Sequence, residues 1–192
     1  MTTRTLPPML SLWRADGQSG LLRAAVLVVL GTALMALSAK IQVPFFPVPM
    51  TMQSGVVLLI GGAYGWRLGG LTMLAYLAEG LVGLPVFAGF AAGPAYFAGP
   101  TAGYLVGFVF SAAVMGLAVE RGWTRSFAGM AASVTAASIV PFVTGVAWLA
   151  VLAGPQAAIA GGLVPFIPAA VLKGALAGLL LAKVDGAAQR RG

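Results

Sequence analysis

The chain has 192 residues, of which 60% are hydrophobic and only 8% are charged, and its net charge is +7. Soluble domains carry about 25% charged residues, so this chain could not cover its own surface in water. Histidine and cysteine are both absent, which argues against disulfides, thiolate nucleophiles, imidazole bases and most transition-metal sites. We therefore expect an integral membrane protein that is not an enzyme and holds no metal.

Long apolar runs predict the membrane-spanning segments. Residues 80–119 and 126–172 contain no charge at all, and each run exceeds the roughly 20 apolar residues that cross a bilayer. Leucine, alanine and glycine dominate without the alternation of a membrane barrel, so the predicted fold class is all-α with six transmembrane helices. The predicted spans are residues 21–39, 50–64, 68–84, 101–119, 127–152 and 167–183.

Proline and glycine mark the connections between these spans. The first connection, KIQVPFFPVP at residues 40–49, holds three prolines and two phenylalanines. Glycines near residue 65, a glycine- and proline-rich stretch at 83–100 and another at 154–168 mark later breaks. We predict one six-helix membrane domain at 21–184, between cytoplasmic tails at 1–20 and 185–192.

The basic residues predict the orientation. If both termini are cytoplasmic, nine of the eleven lysines and arginines lie on the cytoplasmic side, and only Lys40 and Lys173 lie opposite. This is the bias of the positive-inside rule, so we expect a multi-pass protein of the cytoplasmic membrane. The positive charge is dispersed over the loops, which is not typical of nucleic-acid binding.

Three charges fall within or at the edge of the predicted membrane region. Intramembrane charges cost about 2.5–3.5 kcal/mol each on insertion scales and usually indicate function. Lys40 follows the C-terminal end of the first helix, where a cation suits the helix dipole, so an interfacial anchor is one interpretation. Glu79 and Lys173 each lie at the unfavourable pole of a helix. Either they pair with each other, or a ligand supplies the missing charge.

Aromatic side chains gather in the three connections on the side of these charges. A headgroup belt would favour tryptophan and tyrosine, whereas phenylalanine predominates here on proline-stiffened loops. This pattern predicts the walls of a mostly apolar ligand cavity with a few polar contacts. The residues concerned are Phe45, Phe46, Tyr76, Phe87, Phe90, Tyr96, Phe97, Tyr104 and Phe166.

Three ordered motifs carry a family resemblance. The chain reads P-x-P-x-T-x-Q at residues 47–53, Y-L-x-x-G-x-x-G-L-P-V-F at 76–87 and G-P-T-x-G-Y at 99–104. In these motifs it resembles the BioY family, the biotin-specific S components of energy-coupling factor (ECF) transporters. The resemblance implies six helices with both termini cytoplasmic, high-affinity biotin capture and uptake, and no cofactor. It also implies a transmembrane coupling protein and two ABC-type ATPases as partners, which would account for the missing nucleotide-binding motif.

The resemblance also implies binding residues. Lys173 matches the lysine of the family's P-G-D-x-x-K element, which reads PAAVLK at 168–173, with Ala170 in place of the aspartate. The hypothesis is that Lys173 meets the carboxylate of biotin, while Glu79 or Gln53 takes over the ureido contacts. The predicted substrate-binding residues are Lys173, Glu79, Gln53, Tyr76, Tyr104, Phe87, Thr101 and Phe45.

A small-xxx-small pair on the first helix, Thr32 and Ala36, is the predicted contact with the coupling protein, because small residues let helices approach closely in membranes. Two other functions stay open from the sequence. One is a stand-alone proton-coupled carrier or channel for a small carboxylate, with Glu79 as the titrating group. The other is a purely structural membrane subunit.

Overall fold

The computed structural model describes residues 19–189, without the side chains of Ser19 and of residues 185–189. The predicted tails at 1–20 and 185–192 therefore fall largely outside the described residues. A two-stranded antiparallel hairpin, β1 (Gln42–Val43) with β2 (Met50–Thr51), connects the first two helices. The helices are α1 (Ser19–Lys40), α2 (Gln53–Leu81), α3 (Ala102–Glu120), α4 (Phe127–Ala153), α5 (Pro155–Gly162) and α6 (Ile167–Gln189).

The all-α membrane fold class is confirmed by the length and apolar character of these helices. Five described segments are long and apolar enough to cross a membrane. The last of them, Pro155–Val184, contains α5 and most of α6. In α2 and α3, 61% and 67% of the apolar window is buried inside the protein, against 22% in each of the other three. Helices α2 and α3 therefore form the centre of the bundle, and α1, α4 and α6 surround it.

Helix α2 covers two predicted spans because its chain direction reverses at Gly65, whose φ is 83°. In a straight helix the Cα atoms of Gln53 and Tyr76 would lie about 34 Å apart. Instead, the Gln53 amide nitrogen lies 2.7 Å from the Tyr76 hydroxyl. Residues 53–64 and 66–81 are thus antiparallel arms of a helical hairpin, and Gly65 allows the reversal because glycine adopts positive φ without a Cβ clash.

Because neighbouring helices run antiparallel, the connections gather at two ends of the bundle. The loop end holds the β-hairpin, the 82–101 loop and α5, and a hydrogen bond from Trp148 to the Gly99 carbonyl ties α4 to this end. The turn end holds the Gly65 reversal, which lies beside the end of α3 through the bond from the Trp66 amide to Glu120. The described basic residues at the turn end are Arg23, Arg67, Arg121, Arg125 and Lys183.

Small residues allow the central helices to touch backbone to backbone. A Cβ added to Gly61 would lie 2.8 Å from the Ala112 Cα, so the first arm of α2 packs directly on α3. Gly116 meets the backbone of Gly65 and Trp66 in the same way at the turn end. Close packing of this kind drives helix association in membranes, where the hydrophobic effect contributes little. It fixes the two arms around the space described next.

Candidate functional site

A cavity of about 760 Å³, partly open to the surroundings, lies at the loop end of the bundle. This figure includes space open to solvent, and the part that the centre of a water-sized molecule can occupy is about 70 Å³. Among the described residues that line it, Lys173 is the one charged side chain, and Leu58, Phe108, Phe142 and Phe166 supply apolar wall. The other polar side chains of the wall are Thr51, Gln53, Ser54, Tyr96, Thr101, Tyr104, Ser111 and Ser138.

Lys173 reaches the cavity from the second turn of α6. Its ammonium nitrogen donates to the Thr51 carbonyl oxygen at 2.7 Å and lies 3.4 Å from the Ser54 hydroxyl. A Cβ on Gly55 would lie 3.3 Å from the Lys173 Cβ, so glycine at this position lets α6 approach α2 closely. An ammonium group has three donors, and these two contacts leave one for a ligand. The structure thus holds a partly buried cation at the wall with a donor to spare.

Gln53 lines the cavity and connects it to the 82–101 loop. Its side-chain oxygen accepts from the Thr51 hydroxyl at 3.0 Å, and its nitrogen donates to the Tyr76 hydroxyl at 2.7 Å. Tyr76, which is fully buried, donates in turn to the Val86 carbonyl oxygen at 2.9 Å. Tyr76 therefore lies behind the wall and reaches the cavity through Gln53.

Tyr104 and Thr101, two of the predicted binding residues, line the cavity at the start of α3. The Tyr104 hydroxyl donates to the Gly162 carbonyl oxygen at 2.8 Å, which fixes the ring against α5. The Thr101 hydroxyl oxygen is buried and completes no well-formed hydrogen bond among the described residues. The Tyr96 hydroxyl lies near it, and burial raises the pKa of Tyr96.

Phe87 and Phe45 act through neighbours that line the cavity. Phe87 is fully buried and stacks on Tyr96, with their ring centroids 4.8 Å apart. Phe45 packs on Phe166 at a centroid distance of 6.2 Å. Both residues support the wall from behind.

Glu79 is half-buried in the second arm of α2 and is not part of the cavity wall. Within the described part of the chain no ion pair joins it to Lys173, whose hydrogen bonds go to Thr51 and Ser54. The pairing that the sequence left open is therefore not formed. A ureido contact from Glu79 stays a prediction without geometric support.

The two residues predicted to meet a coupling protein differ in their exposure. Thr32 is 3% exposed and donates to the Val29 carbonyl oxygen within α1. Ala36 is half-buried and packs against the core shared by α1, α2 and α3. Thr32 is thus not presented to a partner, whereas Ala36 is partly exposed, and the contact stays a prediction.

Sequence reasoning missed part of the wall. Ser111 on α3, Ser138 on α4 and Ser54 line the cavity, and Ala170 lies on the wall at the position where the family's aspartate is expected. Ser111 donates to the Ala137 carbonyl oxygen at 2.7 Å and so ties α3 to α4. Ser111 could have been found as an isolated polar residue in a charge-free apolar run, whereas Ser138 has Ser133 and Thr135 close by in the sequence.

Comparison with known proteins places the chain in a family. The BioY family model matches residues 8–190. A probable biotin transporter BioY from Pyrococcus horikoshii is 36% identical over 160 residues, which are 83% of this chain and 94% of that protein. A biotin transporter BioY from Rhizobium etli is 37% identical over 167 residues, covering 82% and 86% of the two chains.

A solved structure has the same fold. It is the crystal structure of the S-component for biotin from an ECF-type ABC transporter, which matches with a TM-score of 0.77 and 24% identity. The match covers 90% of this chain and 95% of the other. With the family model spanning nearly the whole sequence, the chain belongs to the BioY family.

Proposed function

We propose that this protein is the biotin-binding S component of an ECF transporter in the cytoplasmic membrane. One observation carries the proposal: a mostly apolar cavity at the loop end holds a single charged side chain, the Lys173 ammonium, among its described lining residues. Biotin matches this arrangement because it has one carboxylate, an apolar chain and a neutral ureido ring. Family membership and the shared fold support the same ligand.

In this proposal the biotin carboxylate accepts a charge-assisted hydrogen bond from the remaining N–H group of the Lys173 ammonium. Lys173 and Gln53 are both bonded to Thr51, so they share one pole of the cavity. The ureido ring lies at the far end of the ligand from the carboxylate, which favours Thr101, whose buried hydroxyl completes no well-formed hydrogen bond, over Gln53 for its contacts. Gln53 then organises the carboxylate pole.

Equilibrium binding of labelled biotin to the purified protein tests the proposal. We expect saturable binding with a submicromolar Kd, corresponding to more than about 8 kcal/mol of binding free energy. Unlabelled biotin should displace the label. A purely structural membrane subunit would show no saturable binding, and that result would remove the proposed function.

The proposed partners are a transmembrane coupling protein and two ABC-type ATPases. We expect biotin uptake by reconstituted vesicles to require these subunits and ATP, and to continue when the proton gradient is collapsed. The stand-alone proton-coupled carrier is not favoured, because Glu79 does not line the cavity. Uptake without ATP that stops on collapse of the gradient would reverse this choice.

We further propose six membrane crossings with both termini in the cytoplasm and the loop end outside. The Gly65 reversal supports two crossings within α2, and five described basic residues at the turn end support the orientation. The first arm has 12 residues, a rise of about 18 Å, which is less than the bilayer core. A helix of this length can still cross the membrane region, because the arm is buried among other helices and faces protein more than lipid.

Single cysteines can test this topology, since the natural chain has none. In intact cells a membrane-impermeant maleimide should label Leu84→Cys, whereas Arg125→Cys and Arg67→Cys should react only after permeabilisation. All three side chains are exposed. Labelling of Arg67→Cys from outside would contradict the two crossings within α2.

A further inference from the structure

Lys40, for which one interpretation of the sequence suggested an interfacial anchor, contacts the 82–101 loop. Its ammonium nitrogen donates to the Pro85 and Phe87 carbonyl oxygens, at 2.8 Å each. It also lies 4.1 Å from the centroid of the Phe90 ring, in a cation–π contact. The last residue of α1 therefore holds a loop more than 40 residues away along the chain.

Three successive carbonyls of the 82–101 loop are bonded to side chains of the helical body. Lys40 holds the carbonyls of Pro85 and Phe87, and Tyr76 holds the Val86 carbonyl between them. Hydrogen bonds from an ammonium group are stronger than those between neutral groups. The loop brings no countercharge to Lys40, because residues 80–119 contain none.

The same loop closes one side of the cavity. Ala88 and Tyr96 lie on the cavity wall, and Tyr96 stacks on Phe87, whose carbonyl Lys40 holds. Movement of the Pro85–Phe87 backbone would thus move the wall. Lys40 itself is not a lining residue, so it can act on the ligand only through this loop.

The loop has little regular structure to hold it in place. It contains only two short 3₁₀ turns, Ala88–Phe90 and Pro94–Ala98. Phe90 has a φ of 61°, the one positive value for a non-glycine residue in the described chain. Such a conformation is unfavourable and persists where the surroundings fix it, and strained residues cluster at ligand clamps. In this structure the cation–π contact with Lys40 helps to hold Phe90 in this conformation.

We propose that Lys40 is a positioning residue that latches the 82–101 loop over the ligand cavity, so that biotin enters and leaves only when this latch opens. The inference rests on the proposed function for its ligand. If the loop is closed both with and without ligand, weakening the latch raises the open population of both states by the same factor. Association and dissociation then become faster together, while the Kd hardly changes.

The test compares Lys40→Met, which keeps the length of the side chain but cannot donate, with the unaltered protein. We expect both rate constants for biotin to rise on the order of tenfold, the effect of losing about one net charge-assisted hydrogen bond. The Kd should stay within about threefold. Lys40→Arg should restore slow exchange, because a guanidinium can bond both carbonyls and stack on Phe90. Lys183→Met, a lysine at the turn end, is the matched control and should leave both rates unchanged.

A second variant keeps the test open if Lys40→Met folds poorly. Phe90→Leu removes the ring face below the ammonium, and the 70% exposure of Phe90 means that the core is not disturbed. It should raise both rates in the same direction by a smaller factor. Unchanged rates in both variants would overturn the proposal. So would a raised Kd with unchanged association, because that result means that Lys40 shapes the closed site instead of gating it.

Amide hydrogen exchange separates failure of the latch from failure of the proposed function, because it needs no ligand. The Gly93 amide donates to the Gly80 carbonyl oxygen at 2.7 Å, and the Phe87 amide donates to the Ala91 carbonyl oxygen at 3.2 Å. Lys40→Met should speed the exchange of both amides. If the unaltered protein binds no biotin but this exchange accelerates, the latch stands and the ligand assignment fails. Unchanged exchange overturns the latch whatever the ligand is.

Discussion

Replacing Lys173 with methionine should weaken biotin binding by about 100-fold. Methionine keeps an apolar stem to pack over Gly55 but leaves the ligand's carboxylate without a cation. Removing one partner of a buried, hydrogen-bonded charge pair costs about 2–5 kcal/mol, and each 1.4 kcal/mol is tenfold in affinity. Isothermal titration or filter binding with labelled biotin measures the loss.

Two controls make this result specific to charge. Biotin methyl ester lacks the carboxylate charge, so it should bind the unaltered protein and Lys173→Met with similar, weak affinity. Thr101→Val removes the hydroxyl proposed to meet the ureido ring and should weaken the acid and the ester by the same factor. If Lys173→Met binds biotin within about threefold of the unaltered protein, the assignment of Lys173 to the carboxylate is wrong.

Adding one methyl group at Gly80 should destabilise the protein and open the cavity. A Cβ at Gly80 would overlap the ring of Phe87. That ring is fully buried between Tyr76, Tyr96 and Phe97, with centroid distances of 4.8–5.5 Å, so it has no space to withdraw. Overpacking of a well-packed core costs about 1–3 kcal/mol. We therefore expect Gly80→Ala to lower the Tm and, by displacing Tyr96, to weaken biotin binding about tenfold.

Gly70→Ala is the matched control, because Gly70 lies in the same arm of α2 and an added Cβ there meets nothing within 4 Å. Alanine favours a helix over glycine by up to about 1 kcal/mol, so this variant should be as stable as the unaltered protein or more so. Thermal unfolding in detergent, with and without biotin, compares the two. Equal Tm values for both alanine variants would mean that Phe87 does not occupy the place described.

The sequence was informative wherever the physics is local. A charge-free apolar run must lie in lipid or inside protein, so composition alone identified the membrane class and the approximate helices. A lysine near the start of the last helix sits at an unfavourable dipole pole, and this position distinguished Lys173 from the other basic residues. Proline-stiffened aromatic connections indicated a cavity at that end, and the structure places Lys173, Gln53, Thr101 and Tyr104 on its wall.

Other features depended on which face of each helix turns inward. In a membrane the lipid-facing and protein-facing surfaces are both apolar, so hydropathy does not distinguish them. This is why Thr32 was expected at a partner surface and is found packed inside. For the same reason the sequence shows that Ser111 and Ser138 are polar but does not place them on the cavity wall.

The amino-acid sequence alone indicates a helical membrane protein of the BioY type, with Lys40 and Lys173 near an aromatic-rich end. The packing in three dimensions was needed to show that α2 doubles back at Gly65 and that Gln53 meets Tyr76. It alone decided that Lys40 closes a loop by holding the carbonyls of Pro85 and Phe87. An apolar run can be read directly from the side chains in the sequence. A hydrogen bond to a distant backbone carbonyl requires no particular side chain at the acceptor residue, so the sequence does not reveal it.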